Sequence, residues 1–160
     1  MGKWIRHCGI YPTWVLRFFR PERVRWERIV NPVPVVDGSV GRLKAHFDHF
    51  SFEKGISAWV EKHNRYSSGE AVETHESRAR GFVEWKGVLA LDSARRRLAL
   101  KSLSMHLPCR PLFRFGYMYG LRFGFLDGRA GLVYCSLLSF YELLISLKAE
   151  EIAERERGRR

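Results

Sequence analysis

The 160-residue sequence predicts an α+β fold, with short antiparallel strands in its first fifty residues and helices after them, including an apolar helical hairpin. Three features predict it. β-branched and aromatic residues cluster before Asn31 and are interrupted by Pro21. Ile56, Trp59, Val60 and His63 recur at the spacing of one helix face. Gly131–Leu147 is apolar apart from its hydroxyls and Glu142.

Taken in order, Thr13–Arg20 and Val24–Val30 read as the two strands of a hairpin turned at Pro21-Glu22. Asn31–Val36 carries two prolines, which cannot donate to a ladder, so it cannot sit in a central strand. Asp37-Gly38 marks a turn, and Val40–Lys44 and His46–Phe50 alternate like strands. Ser51 is placed to cap a helix from about Phe52, with Glu53 favourable in its first turn. Ser67-Ser68-Gly69 is a candidate break, after which Glu70–Arg80 and Glu84–Leu103 again favour helix up to Pro108. Beyond Pro111, Gly116, Gly120 and Gly124 stand four apart, the spacing that lets two helices approach closely, including in membranes. Asp127-Gly128 makes a turn. Gly131–Leu147 falls short of the roughly 20 residues of a spanning helix, which predicts an interfacial or core helix. The divisions expected are 1–50, 51–106, 107–150 and a charged tail, 151–160, that continues as a frayed, solvated helix end.

Hydrophobic residues make up 46% of the chain and aromatics 14%, enough apolar surface to offset the entropy of ordering. The formal net charge of +11 favours anionic partners, whether phospholipid headgroups, diphosphates or nucleic acid, and charge alone does not choose among them. Cys8, Cys109 and Cys135 are odd in number and lack CxxC spacing, which argues against a disulfide framework or a zinc site and for a reducing cytoplasm. The N-terminus shows no continuous apolar run of the secretory type.

His46 and His49, with Asp48, offer metal-ligand chemistry, but residues three apart on a strand point to opposite faces and do not converge on one ion. Lys62–Tyr66 sets His63 on the apolar face of its helix with Arg65 and Tyr66 beside it, donors suited to a diphosphate or to sugar hydroxyls. The same residues also make an ordinary solvated helix face. No P-loop, GxGxxG, HExxH or nucleophile-elbow pattern occurs, and no RNP-like or helix-turn-helix pattern supports a nucleic-acid partner.

Three segments, Gly2–Arg20 with WIRHCGIYP, Val36–Ala71 with KHNRYSSGEA, and Leu107–Lys148 with GFLDGRAG, together resemble the C-terminal region of bacterial family-2 glycosyltransferases, the enzymes of lipopolysaccharide-core, colanic-acid-like and other exopolysaccharide synthesis. The resemblance implies part of a GT-A-type domain, metal-assisted inverting transfer of a sugar from a nucleotide donor, and a saccharide acceptor that is usually lipid-linked. It also implies a cytoplasmic location, peripheral at the inner face of the cytoplasmic membrane. In that family an N-terminal half binds the nucleotide sugar and holds Mg²⁺ or Mn²⁺ with an acidic DxD motif; no DxD occurs here, so the chain is expected to bind no cofactor of its own and to need a separate donor-binding half.

The matching residues Arg6, His7, His49, His63, Asn64, Arg65 and Tyr66 are thereby candidates for acceptor or diphosphate contact, Arg65 first among them for an anionic group. Trp4, Tyr11 and Pro12 match as well. Two departures stand out. Pro32 and Val33 follow Asn31 where the family commonly has an acid and then His, the acid being a candidate base, and Thr13 stands where Asp or Asn is usual. Proline takes no proton, so no catalytic residue and no metal ligand is assigned. The expected function is the acceptor-side, membrane-associating part of a glycosyltransferase, inactive alone; the alternative is a non-catalytic basic protein that binds an anionic membrane surface.

Overall fold

The computed structural model describes residues 3–27, 32–81, 85–89, 96, 99, 103, 106–107 and 109–159. It is α+β. Among the described residues, a two-stranded antiparallel sheet, β1 (Val24–Glu27) and β2 (Val33–Val36), precedes the helices α1 (Gly55–Arg80), α2 (Trp85–Val88), α3 (Arg110–Phe115) and α4 (Gly128–Arg157). A π-helical turn, Gly116–Leu121, extends α3, and a 3-10 turn, Gly124–Asp127, leads into α4.

The hairpin pairs different segments from those predicted. β1 pairs with β2, with Trp26 opposite Pro34, and Thr13–Arg20 is not a strand. The Asp37 amide donates to the Arg23 carbonyl at 2.9 Å, which makes that pair a hydrogen-bonded one. Counting in twos, Pro34 then falls in a non-bonded pair, where its missing N–H removes no ladder bond. Prolines bar a segment from a central strand, and a two-stranded sheet has none. Pro21–Arg23 forms a 3-10 turn in place of the expected hairpin loop, and Arg28–Asn31 lies outside the described residues.

Val40–Lys44 and His46–Phe50 are irregular as well. Both coil stretches are pinned by arginines stacked on rings, Arg17 over Phe47 at 4.3 Å and Arg42 over Trp14 at 5.1 Å. All residues of both stretches are exposed, so the alternation does not mark a buried strand face.

α1 begins at Gly55, later than predicted, after a turn at Ser51–Lys54, with no side-chain cap from Ser51. It runs unbroken through Ser67-Ser68-Gly69 because that stretch is packed: Ser67 is fully buried beside Ala71 and Thr74 on the same stripe as Trp59. Gly81, at φ 62, ends it in the left-handed conformation that glycine adopts without strain. Of the expected Glu84–Leu103 helix, α2 is described, and Arg96, Ala99 and Leu103 are helical; the remainder lies outside the described residues.

α4 is the spine. Its buried stripe of Gly131, Cys135, Ile145 and Ala149 faces α1 on one flank and α3 on the other. α1 runs parallel to it, since His63 meets Tyr141 and His75 meets Glu156 further along both helices. α3 runs antiparallel, with Arg110 at Glu142 and the Met118 turn back at Cys135.

The helix is longer than the apolar run predicted it to be. Together with the 3-10 turn that leads into it, the segment Gly124–Arg157 spans 34 residues at a mean hydropathy of 1.6 in its most apolar window, so it is apolar enough to associate with a membrane and, by length and composition alone, to cross one. The tail belongs to it: the helix continues to Arg157, and Glu156 pairs with His75 at 3.0 Å.

The glycines do not form a packing stripe. A Cβ on Gly116 or Gly120 would meet nothing within 4 Å, whereas on Gly124 it would meet the Met118 carbonyl oxygen at 2.8 Å, and on Gly131 the Gly124 carbonyl oxygen at 2.0 Å. Gly124 and Gly131 thus permit the close turn onto α4, and Gly116 faces outward. Gly131→Ala should therefore lower unfolding free energy by about 1–3 kcal/mol through overpacking, while Gly116→Ala should raise it by up to about 1 kcal/mol through helix propensity. Urea denaturation of both variants checks the contrast.

Candidate functional site

The first and third sequence motifs are joined by one buried carboxylate. Asp127, 4% exposed at the start of α4, accepts hydrogen bonds from the Arg6 amide at 3.2 Å, the His7 amide at 2.8 Å and the His7 ring Nδ1 at 2.9 Å. An ionised carboxylate only accepts, so the proton of that ring sits on Nδ1. Lys3 Nζ caps the Asp127 carbonyl at 3.2 Å, and the Cys8 amide donates to the Arg122 carbonyl at 3.1 Å.

Cys8 is in the left-handed region at φ 61, followed by Gly9 at φ 77. This turn drives the Cys8 thiol into a small core with Met118 and Cys135, its sulfur 3.5 Å from Cys135 Sγ. The WIRHCG loop is thus folded around the end of α4.

Electrostatics follow from this packing. Burial pushes the Asp127 carboxyl up, but the hydrogen bonds from the His7 ring and from the His7 and Arg6 amides outweigh it and hold the carboxyl below its ordinary value. The Cys8 thiol is pushed up to about 12 by burial first, and then by its contacts with Cys135 and Asp127, so it stays protonated.

The second motif lies on α1. His63 stacks on Trp59 with ring centroids 3.6 Å apart, meets the Tyr141 ring edge-on at 5.1 Å and donates Nδ1–H to the Trp59 carbonyl at 2.8 Å. Burial pushes its imidazole below its usual value, so it is neutral at pH 7 and keeps an Nε2 lone pair. Lys148 of α4 reaches across to the Asn64 carbonyl and Oδ1, both at 2.7 Å, and to Ser67 Oγ at 2.8 Å and Ser68 Oγ at 2.9 Å. One ammonium therefore holds the middle of the motif against α4. Arg65 is exposed on α1 one turn beyond Glu61 of the groove margin, and Tyr66 beside it carries the Lys62 ammonium at 5.4 Å from its ring.

Along α1 and α4 opens a groove of about 490 Å³, with Ile56, Val60, Phe140 and Leu144 as apolar wall and Glu61 and Asn64 as polar margin.

The predicted site residues thus separate into groups. His63, Asn64, Arg65 and Tyr66 stay together on α1. Arg6 and His7 sit at Asp127, fourteen residues before Tyr141 along α4, about 21 Å at the helical rise. His7 turns its ring inward to Asp127, and Arg6 stacks its guanidinium over Trp4 at 4.3 Å. His49 is exposed in the coil before α1, and His46 meets the Tyr11 hydroxyl at 3.4 Å. Among the described residues no group of three or more His, Cys, Asp or Glu could hold the divalent cation that the resemblance implies, and the oxygens of Asp127 are already engaged.

Sequence reasoning passed over Asp127, which it took for a turn residue, and it passed over Lys148 and the buried Arg110–Glu142 pair, 2.7 Å apart. A single Asp ahead of Gly inside an apolar stretch is the signal that could have marked the first. No protein-family model, curated protein or solved structure matches the chain.

Asp127→Asn should cost about 2–3 kcal/mol by setting an amide against two backbone donors. A carboxyl held low in the fold contributes stability above its unfolded value of 3.8 and loses it as pH falls through the folded value. The wild-type advantage over Asp127→Asn should accordingly be constant from about pH 7 to 5 and shrink below 3.8, as urea titrations at each pH would show. Thiol labelling offers a second check: exposed Cys109 should react with an aromatic disulfide reagent at least about a hundredfold faster than buried Cys8 or Cys135, and equal rates in the folded chain would contradict the core described above.

Proposed function

We propose that the chain is the acceptor-side, membrane-associating part of a GT-A-type family-2 glycosyltransferase of cell-surface polysaccharide synthesis, with the nucleotide sugar and its metal held by a donor-binding half that these residues do not supply. The observation that carries the reading is the groove between α1 and α4. It joins an apolar wall to a margin formed by Glu61 and Asn64, and Asn64 belongs to the KHNRY motif on which the resemblance rests. A lipid-linked saccharide has the same division, an apolar chain joined to a polyhydroxylated head. Exposed Arg65, one residue further along α1, adds a bidentate donor for a diphosphate.

A peripheral location on the cytoplasmic face of the membrane fits the packing of α4 better than a span. α1 lies against it through Lys148 and Glu156, and residues 61–80 of α1 carry eight charged side chains. Drawing them into the bilayer centre would cost about 2.5–3.5 kcal/mol each. At the interface α4 can bury apolar side chains while α1 remains in water.

Catalysis by these residues alone is not part of the proposal. Pro32, exposed just before β2, offers no base, and Asp127 is committed to the loop. The alternative, a basic peripheral membrane protein without acceptor binding, shares the apolar surface but gives the groove no role.

Vesicles separate the two. The chain should bind anionic vesicles carrying a polyprenyl-diphosphate-linked monosaccharide at least about fivefold more tightly than the same vesicles without it, and Ile56→Asp at the groove wall or Arg65→Ala should remove that increment while leaving circular dichroism unchanged. Equal binding to both vesicle types would sink the acceptor reading and leave the alternative. Calorimetry with a nucleotide sugar and Mg²⁺ or Mn²⁺ should show no binding to this chain alone.

A further inference from the structure

Within the membrane-associating reading, on which this inference rests, the surface that enters the bilayer interface can be named. α3 and its π-helical extension are turned inside out. Arg110 and Met118 are buried against α4, whereas Leu112, Phe113, Tyr117 and Leu121 are exposed, and Gly116 and Gly120 have open space above them. These six positions fall at i, i+1, i+4, i+5, i+8 and i+9, one continuous face of a helix. Phe125 and Leu126, in the 3-10 turn that leads on to α4, are exposed as well. Large apolar residues scattered singly over a surface need no explanation, but a contiguous patch marks an interaction site.

The charge bordering the patch selects its occupant. Arg114, Arg122 and Arg129 are exposed among and beside the apolar side chains. A second copy docked on this face about a twofold axis would bring the same arginines against themselves, since such an interface joins identical surfaces. A bilayer containing anionic lipid has the complementary arrangement, with acyl chains for Leu112, Leu121 and the rings, and headgroup phosphates for the guanidinium groups at the same depth. The open glycines allow the face to lie close to the headgroup plane. We infer that the Leu112–Leu126 surface is an interfacial wedge that docks the chain on anionic lipid, with Arg114 and Arg129 binding headgroup phosphates.

Flotation of the full chain with phosphatidylcholine vesicles, with and without 30% phosphatidylglycerol and free of any glycolipid, tests the wedge separately from the acceptor groove. Wild type should partition at least about tenfold more strongly to the anionic vesicles at low salt and lose most of that preference at about 0.5 M salt. The double variant Leu112→Asp, Leu121→Asp, at positions 72% and 74% exposed, should lose binding at least about tenfold with an unchanged circular dichroism spectrum and melting temperature. Arg114→Glu with Arg129→Glu should lose the preference for anionic lipid, and Leu89→Asp, at an exposed position outside the patch, should behave as wild type.

Undiminished binding by the leucine variant would overturn the wedge while leaving the acceptor reading intact. So would a wild-type dimer in sedimentation that the leucine variant dissociates without change in vesicle binding. Absence of wild-type binding to anionic vesicles would overturn the wedge together with the membrane part of the proposed function. A missing glycolipid increment with a full anionic-lipid effect would overturn the acceptor reading alone.

Discussion

The structure depends on the carboxylate of Asp127. Three donors from the loop near the N-terminus converge on a group at least 120 residues away, and the carboxylate is withdrawn from water in accepting them. Removing any partner would leave a buried charge or a buried amide unsatisfied, which gives this contact more leverage than its few ångströms suggest. The left-handed turn at Cys8 and Gly9 and the tight seating of Gly124 and Gly131 are conditions for the same contact. Together they attach the loop to the end of the helix around which the rest is arranged.

That helix has two dissimilar neighbours. On one side α1 brings hydroxyls, an imidazole and charges, tied down by the ammonium of Lys148 and the carboxylate of Glu156. On the other, α3 buries an arginine against Glu142 and turns leucines and rings outward. Breaking a buried ion pair leaves an uncompensated charge, and the Arg110–Glu142 contact lies on the face of α3 that is turned to α4. The chain therefore has a polar flank with a groove and an apolar, arginine-bordered flank. This division suits a protein that handles an amphiphile at a membrane surface.

The existence of α1 was legible in the spacing of Ile56, Trp59, Val60 and His63, but its packing was not: Ile56 is half-exposed, and the buried stripe runs on from Trp59 through Ser67, Ala71 and Thr74, where hydroxyls and a glycine read locally as a break. The strands were not. Val33–Val36 was set aside for its prolines, and its pairing depends on a register that removes Pro34 from the ladder, which no local rule supplies. Thr13–Arg20 has strand composition but no partner, and arginine–ring stacking takes the place of a ladder.

Within the candidate site, the grouping of His63 to Tyr66 could be read from their adjacency on a helix. The inward turn of His7 could not, because its partner is remote in sequence and reads locally as a turn. Gly116 and Gly120 looked like packing residues, yet only the tertiary arrangement shows that the close contacts lie at Gly124 and Gly131.

The central claim is that Asp127 holds the Arg6–His7 backbone to the start of α4. Amide hydrogen exchange at these two residues tests it most directly. The account predicts strong protection of both amides in the wild-type chain at neutral pH and its loss in Asp127→Asn under conditions where the amides of α1 stay protected. Exchange of Arg6 and His7 at the rate of an unstructured peptide in the wild-type chain would contradict it.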